Sequence, residues 1–295
     1  MIQLKKCPVC ESNKLNLFIL CKDFSVSQEN FNIVSCETCS FKFTNPMPSK
    51  DEIGKYYDSD KYISHTNSKK GLFNFLYQSI RRITIKSKRK LIARNKSNFH
   101  HLDIGCGTGE FLYECKKNGI NVFGVEPSKA AAEQAINNFK IKVADSIYSK
   151  TFTNKKFDSI SMWHVLEHVH EIKNSISKIN DLLKIGGKIF IALPNHESYD
   201  AKYYKEYWAA WDVPIHLWHF SNKTIIKLMS NYGFTFKYTK PMIFDSYYVS
   251  LLSEEYKNNH KNYIKSFMIG TISNLRAKYI DKQYSSVIYV FEKKA

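Results

Sequence analysis

The stretch His101-Leu102-Asp103-Ile104-Gly105-Cys106-Gly107-Thr108-Gly109-Glu110-Phe111-Leu112 decides how this chain folds. Apolar and β-compatible residues lead into a carboxylate, three glycines follow at alternate positions, and the run then continues with helix-forming residues. That order predicts a strand, a tight turn and a helix start. A turn this sharp needs positive φ, and a ligand lying against the backbone leaves no room for Cβ, so the loop is expected to bind one.

The spacing separates two kinds of ligand. A dinucleotide fingerprint, G-x-G-x-x-G, would place its third glycine where Glu110 stands and a pyrophosphate beside that carboxylate. Here the third glycine comes one residue early, and a nucleoside without phosphates tolerates Glu110 better. The stretch Leu102 to Leu112 resembles motif I of the class I S-adenosylmethionine (SAM) methyltransferases. The resemblance implies that Gly105, Cys106, Gly107 and Gly109 lie against SAM, with Asp103 near its methionine end.

Downstream residues agree. Asn121-Val122-Phe123-Gly124-Val125-Glu126-Pro127-Ser128 reads as a second strand ending in a carboxylate, 23 residues after Asp103. A parallel βαβ unit sets such an acid against ribose hydroxyls, and the resemblance gives Glu126 that role, with Pro127 beside it. Ile141 to Asp145 reads as the third strand, where the resemblance puts Asp145 at the adenine amino group. Phe157 to Trp163 reads as the fourth, and Trp163 and His164 are expected to shape the cofactor pocket. Helical spacers at 110–119 and 128–139 make a parallel sheet the natural arrangement. Gly186 to Pro194, Phe234 to Thr239 and Ser286 to Phe291 supply three more strands, and in the family the last returns antiparallel between the fifth and sixth. The expected fold is α/β: a Rossmann-like, seven-stranded, doubly wound sheet whose last strand is antiparallel, with a small N-terminal zinc ribbon and helical insertions.

With 295 residues, 43% of them hydrophobic, the chain can bury one sizeable core and a smaller module. The expected division is a zinc ribbon at 1–48, a basic helical linker at 49–97 and a methyltransferase domain at 98–295, with insertions at about 195–220 and 241–285. The second insertion reads as a cap or an oligomer contact. The N-terminus lacks an apolar signal core and no apolar run reaches membrane-spanning length, so a cytoplasmic location is expected.

Cys7-Pro8-Val9-Cys10 and Cys36-Glu37-Thr38-Cys39 are two C-x-x-C knuckles. Their pairing favours four thiolates around one structural zinc over disulfides, and a closed four-Cys shell leaves no open position for chemistry. Tyr56, Tyr57 and Tyr62 follow in a segment that packs on this module or covers the cofactor.

The formal net charge is +17, and residues 61–100 hold eleven Lys or Arg with no Asp or Glu. Within them, 72–94 reads as a basic amphipathic helix. Three uses compete: a solvated face, a peripheral dock for an anionic membrane or lipid-linked substrate, and a nucleic-acid contact. The solvated face leads, since charge runs usually mark one, and nucleic acid is not favoured.

His164-Val165-Leu166-Glu167-His168 matches H-x-x-E-H, the signature of inverted zinc peptidases. Its place after a sheet strand argues against that use, and no third ligand is evident from spacing. It is similar instead to the segment after the fourth strand in ubiquinone-biosynthesis-type methyltransferases. Some of those hold a divalent ion there through E-x-x-E-H; here His164 replaces the first carboxylate.

The insertion at 195–220 is rich in Trp, Tyr and His and falls beyond the carboxyl end of the fifth strand, where such sheets bind ligands. If the acceptor is a hydroxyl or an acidic carbon, a base is needed, and His216 is the first candidate, with His219 and Asp212 as alternatives. Zinc knuckles, a SAM core and an aromatic insertion together resemble sugar C-methyltransferases and methyltransferases of surface-polysaccharide clusters. The implied activity is methylation of a small molecule, such as a nucleotide- or lipid-linked sugar. An rRNA or tRNA methyltransferase is the alternative, though no N-P-P-[YF] motif follows the fourth strand. A non-catalytic, methyltransferase-like binding subunit is a third.

Overall fold

The computed structural model describes residues 1–57, 72–92 and 98–295, with side chains in the first helix described from Ser79 onward. Tyr62, residues 93–94 of the helix expected at 72–94 and the side chains of its residues 72–78 lie outside the described set.

The N-terminal part is an antiparallel sheet of β1 (Leu15–Lys22), β2 (Asn30–Cys36) and β3 (Lys42–Thr44). Helix α1 (Leu72–Ile92) leads to β4 (His100–Ile104), which is buried because neighbours flank it on both edges and helices cover both faces. It pairs in parallel with β5 (Asn121–Val125) on one side and β7 (Phe157–Trp163) on the other. Between these run α2 (Glu110–Lys117), α3 (Lys129–Phe139) and β6 (Lys142–Ala144). Beyond β7 come α4 (Ile172–Leu182), β8 (Leu183–Pro194), the short α5 (Tyr199–Tyr204), β9 (Trp218–His219) and α6 (Asn222–Ser230). The chain closes with β10 (Phe234–Pro241), α7 (Asp245–Asn258), α8 (Tyr263–Arg276) and β11 (Ser286–Lys293).

The large sheet has the order β10-β11-β8-β7-β4-β5-β6. Its last strand, β11, is antiparallel to both neighbours, as the resemblance implies. Leu102, Ile160, Ile189, Ile191, Tyr289 and Phe291 form its buried centre. All four parallel strands from β4 to β7 end on the same edge, so the loops after them converge, and that edge is where such sheets bind ligands.

The insertion at 195–220 supplies the unexpected contact. Its strand β9 pairs with β3, Lys42 opposite His219 and Phe43 opposite Trp218, and so becomes the fourth strand of the N-terminal sheet. Phe41, Phe43, Trp218 and Phe220 stack there, and one apolar core runs from Cys7 and Cys36 through them to the large sheet. A two-residue strand inside an aromatic segment has no periodicity to betray it. What secures it is an apolar face on β3 that needs a partner.

Candidate active site

The glycine loop is built as a cradle. Gly105, with φ +73°, donates its amide to Val125 O at 2.7 Å, which ties the loop to the end of β5. A Cβ there would collide with the side chain of Val165, so glycine is required by space as well as by φ. Glu126 accepts from the amides of Gly107 at 2.8 Å and Ser128 at 2.9 Å, which fixes the carboxylate over the turn while leaving each oxygen a further lone pair. Glu110 is occupied by Thr108 Oγ1 at 2.6 Å and Arg81 at 3.0 Å. Pro127 and Asp145 stand exposed at the ends of β5 and β6.

Asp103 is buried at the end of β4 and accepts from Ser161 Oγ. Ser161 and Ser159 also hold the ring of His101, at 3.0 and 2.7 Å, so β4 and β7 are cross-linked beneath the loop. Burial drives the Asp103 carboxyl up to about 7, against the opposing pull of Ser161 and Lys88. Lys88, from α1, sits 4.5 Å above the centre of the Trp163 ring. Asp103, Lys88 and Trp163 thus form a buried charged corner at the loop.

The turn after β7 forms the opposite wall. His164 has φ +58° and both ring nitrogens face carboxylates, Nδ1 3.4 Å from Glu167 Oε1 and Nε2 3.2 Å from Asp245 Oδ2. Burial disfavours its charge, but those two carboxylates outweigh it and raise the imidazole to about 9. Glu167 is 1% exposed; its Oε1 faces the His164 imidazole at 3.4 Å, and neither oxygen makes a closer hydrogen bond among the described residues. Oε2 is left to take a proton, a cation or a ligand.

Two histidines converge on it. His168 Nδ1 lies 3.0 Å from the carbonyl of Ile215, and His216 Nδ1 lies 3.0 Å from the carbonyl of Ala210. A carbonyl only accepts, so both Nδ1 atoms carry the proton and both Nε2 atoms present a lone pair. Burial lowers both rings, His168 to about 4, so both are neutral near pH 7. One donor atom each from Glu167, His168 and His216 lies within 4.8 Å of the other two. Tyr57 OH stands 3.0 Å from His168 Nδ1, and Asp212 Oδ2 stands 3.8 Å from His216 Nε2.

The structure therefore brings His216 and Asp212 to the same wall as His168 and Glu167. It places His219 elsewhere: on β9, its Nε2 is 3.1 Å from Thr44 Oγ1 and its ring is edge-on to Trp211 at 5.1 Å, in the junction of the two sheets. The third member of the His-Glu cluster comes from 48 residues beyond His168, which is why spacing alone shows no third ligand. The signal was divided between H-x-x-E-H and the histidine of the aromatic insertion.

The four knuckle cysteines gather at one end of the N-terminal sheet, their sulfurs within 4.8 Å of one another. Cys7 and Cys39 Sγ are 3.5 Å apart, as are Cys10 and Cys36. That excludes disulfides, which need about 2.05 Å, and approaches the separation of about 3.8 Å that four Zn–S bonds of about 2.3 Å impose on a tetrahedron. The thiol set fits a structural zinc.

Residues 77–238, more than half of the chain, match the methyltransferase domain family. The chain belongs to the class I SAM-dependent methyltransferases. A relative in Pelagibacter ubique, ubiquinone biosynthesis O-methyltransferase, is 33% identical over 157 residues, which cover 50% of this chain and 65% of that protein. The methyltransferase therefore aligns with just under two thirds of that relative's length. Among solved structures, phosphoethanolamine N-methyltransferase 2 of Haemonchus contortus in complex with SAM superposes with a TM-score of 0.54 at 17% identity, over 86% of this chain and 62% of that one. The [4+2]-cyclase SpnF superposes equally well, with a TM-score of 0.54 at 15% identity, over 85% and 98%. These two share the fold. The reaction must be argued from the site.

The cradle fits SAM: a loop closed to Cβ at Gly105, a fixed carboxylate at Glu126 and a buried one at Asp103. A divalent ion at this turn would find His164 already engaged between two carboxylates, but Glu167, His168 and His216 each offer one donor atom, all within 4.8 Å of one another. The two carbonyl-bound Nδ1–H groups would set ring orientation, as partners of metal-bound histidines commonly do.

Proposed function

We propose that this methyltransferase methylates a hydroxyl or acidic carbon of a small molecule seated between the glycine loop and the wall of Glu167, His168 and His216, with His216 Nε2 as the base. The observation that supports this most is the fixed tautomer of His216: its proton is held on Nδ1 by Ala210 O at 3.0 Å, so the lone pair is on the nitrogen left to meet an acceptor. SAM, when bound, supplies a methyl group on a sulfonium, an electrophile that needs alignment more than activation. Asp103 and Glu126 would hold the two ends of the cofactor, and the wall would hold the nucleophile. Such positioning contributes roughly 7–11 kcal/mol in favourable cases. Trp208 and Trp211, both buried and packed edge to face at 5.2 Å, belong to the aromatic insertion that carries His216.

The unpartnered Oε2 of Glu167 favours a second form of the same reading, in which a divalent cation on Glu167, His168 and His216 would lower the acceptor pKa as a Lewis acid. Metal dependence of the reaction, measured with the zinc module kept loaded, separates the two forms.

The acceptor class includes nucleotide- and lipid-linked sugars, in keeping with the resemblance to sugar C-methyltransferases, and the O-methyltransferase name of the Pelagibacter relative favours oxygen as the atom methylated. An RNA acceptor finds less support, because Arg81 and Arg89 of α1 turn to Glu110 and Glu114 of α2 at 3.0 and 4.0 Å. The test is transfer of label from methyl-labelled SAM, offered cell extract separated into small molecules and RNA. Label in the small-molecule fraction that disappears in a His216→Asn variant supports the reading. Label in RNA overturns it.

A further inference from the structure

Helix α8 is inside out. The side chains it turns into the protein are small or polar: Ser266, Gly270 and Ser273 are buried, with Ile269 the one large apolar residue among them. Its solvent side carries Ile264 at 85% exposure, Phe267 at 65%, Met268 at 51% and Leu275 at 50%, and Tyr279 at 70% prolongs it through the π-helical turn Ala277–Asp281. The offsets of three, four, eleven and fifteen residues from Ile264 put these on one stripe of a helix.

The helix cannot roll to hide them. Ser273 Oγ donates to Asp200 Oδ1 at 2.6 Å, and Asp200 is wholly buried, accepting also from Trp208 Nε1 at 2.8 Å and Ser285 Oγ at 2.6 Å. Gly270 lies against Tyr247 so tightly that a Cβ would stand 3.1 Å from Tyr247 backbone atoms. Contiguous apolar side chains locked outward mark an interaction surface.

The charges around the stripe select its partner. Residues 261–282 hold Lys261, Lys265, Arg276, Lys278 and Lys282 against one acid, Asp281. Lys265 is paired with Glu254 at 3.1 Å and Lys261 stands 3.6 Å from Glu255, which leaves the positive balance at the C-terminal end of the stripe. Two copies packed stripe to stripe in parallel would set lysines against lysines, and packed antiparallel would set the positive end against the neutralised one, with no opposite charge to meet it. An anionic surface meets both features: acyl chains take the apolar stripe and headgroups take the exposed Lys278 and Lys282.

We propose that α8 and the turn after it dock the methyltransferase on the headgroup layer of an anionic lipid bilayer. This surface is distinct from α1 and rests on no assumption about the acceptor. Docked there, α7 connects the bilayer to the site, since its Asp245 is the residue that reaches His164.

The test is co-sedimentation of the full-length, zinc-loaded protein with phosphatidylcholine vesicles and with vesicles containing phosphatidylglycerol. Retention on the anionic vesicles only is expected. It should fall at least about ten-fold in Lys278→Glu/Lys282→Glu, each lysine near the surface being worth about five-fold, and fall likewise in Ile264→Ser/Phe267→Ser. Unchanged SAM binding by calorimetry shows that the variants are folded. Absent retention, equal retention on neutral vesicles, retention indifferent to the Phe267 change, or a dimer in light scattering that the Phe267 change dissolves would each overturn the proposal.

Discussion

The amide of Leu217 donates to the carbonyl of Glu167 at 2.8 Å. That bond joins the turn after β7 to the aromatic insertion, and on either side of it stand the residues that face each other across the wall, His168 and His216. Because Thr44 Oγ1 also donates to the carbonyl of His216 at 2.8 Å, the proposed base is held by the N-terminal sheet as well as by the methyltransferase domain.

The base assignment predicts that His216→Asn, whose amide can still donate to Ala210 O but offers no lone pair at the Nε2 position, lowers turnover by about 10²–10⁴. Affinity for SAM should stay the same by calorimetry. His219→Asn should behave differently, lowering thermal stability through the lost contact with Thr44 while affecting turnover less. Equal turnover loss in the two variants would assign both histidines to structure.

The acidity of Asp103 predicts a pH-dependent cofactor affinity. Its carboxyl is raised to about 7 by burial, so near neutral pH it is partly protonated and a cationic amino acid must displace that proton. Affinity for SAM should climb by up to about ten-fold per pH unit below 7 and level off above it. The stability sign is the reverse. Between the unfolded value, about 3.9, and about 7 the folded state holds the proton more tightly, so Asp103 destabilises the unliganded fold as pH rises through that window. Asp103→Asn should flatten both curves, as calorimetry and urea melts across pH would show.

With the four-Cys cluster proposed to hold zinc, chelation should do more than unfold a small appendage. β3 pairs with β9, and β9 follows His216 by two residues, so chelation is expected to lower the melting temperature and turnover together while SAM affinity changes less. Readdition of zinc should restore both. Turnover untouched by chelation, with metal loss confirmed by analysis, would show that the wall stands without the ribbon.

Gly105→Ala tests the cradle. The new Cβ meets Val165 and forces an L residue to φ +73°, a conformation that costs about 1–2 kcal/mol even without a clash. A loss of at least that size in urea melts is expected, with weakened SAM binding. Gly107→Ala, where nothing stands within 4 Å of the added atom, should be the milder of the two.

Much of this was legible in the sequence because the relevant physics is local. A strand ending in Asp103, alternate glycines and an acid 23 residues on are short-range patterns that predict the parallel sheet, the paired C-x-x-C spacing predicts the gathering of the four cysteines, and the antiparallel last strand is what the family resemblance implies. The wall of the site was not legible as a unit. Its residues lie in two stretches that meet only because β9 joins the N-terminal sheet, and a two-residue strand leaves no period to read. His219 stood as an alternative to His216 for the same reason: three residues apart in an aromatic segment, they differ in what they face, His219 meeting Thr44 and His216 meeting Ala210. The inverted face of α8 was hidden by its hydrophobicity, since an apolar periodic helix predicts a buried stripe and here the anchoring serine bonds to Asp200 point that stripe outward.

The most direct measurement is calorimetric titration of the zinc-loaded protein with SAM. One site per chain is predicted, weakened by about 10- to 150-fold in Glu126→Ala, the range for hydrogen bonds to a charged group. Absence of any heat with the unaltered protein, or identical affinity in the Glu126 variant, would contradict a cofactor lying over the glycine loop with its ribose held by Glu126.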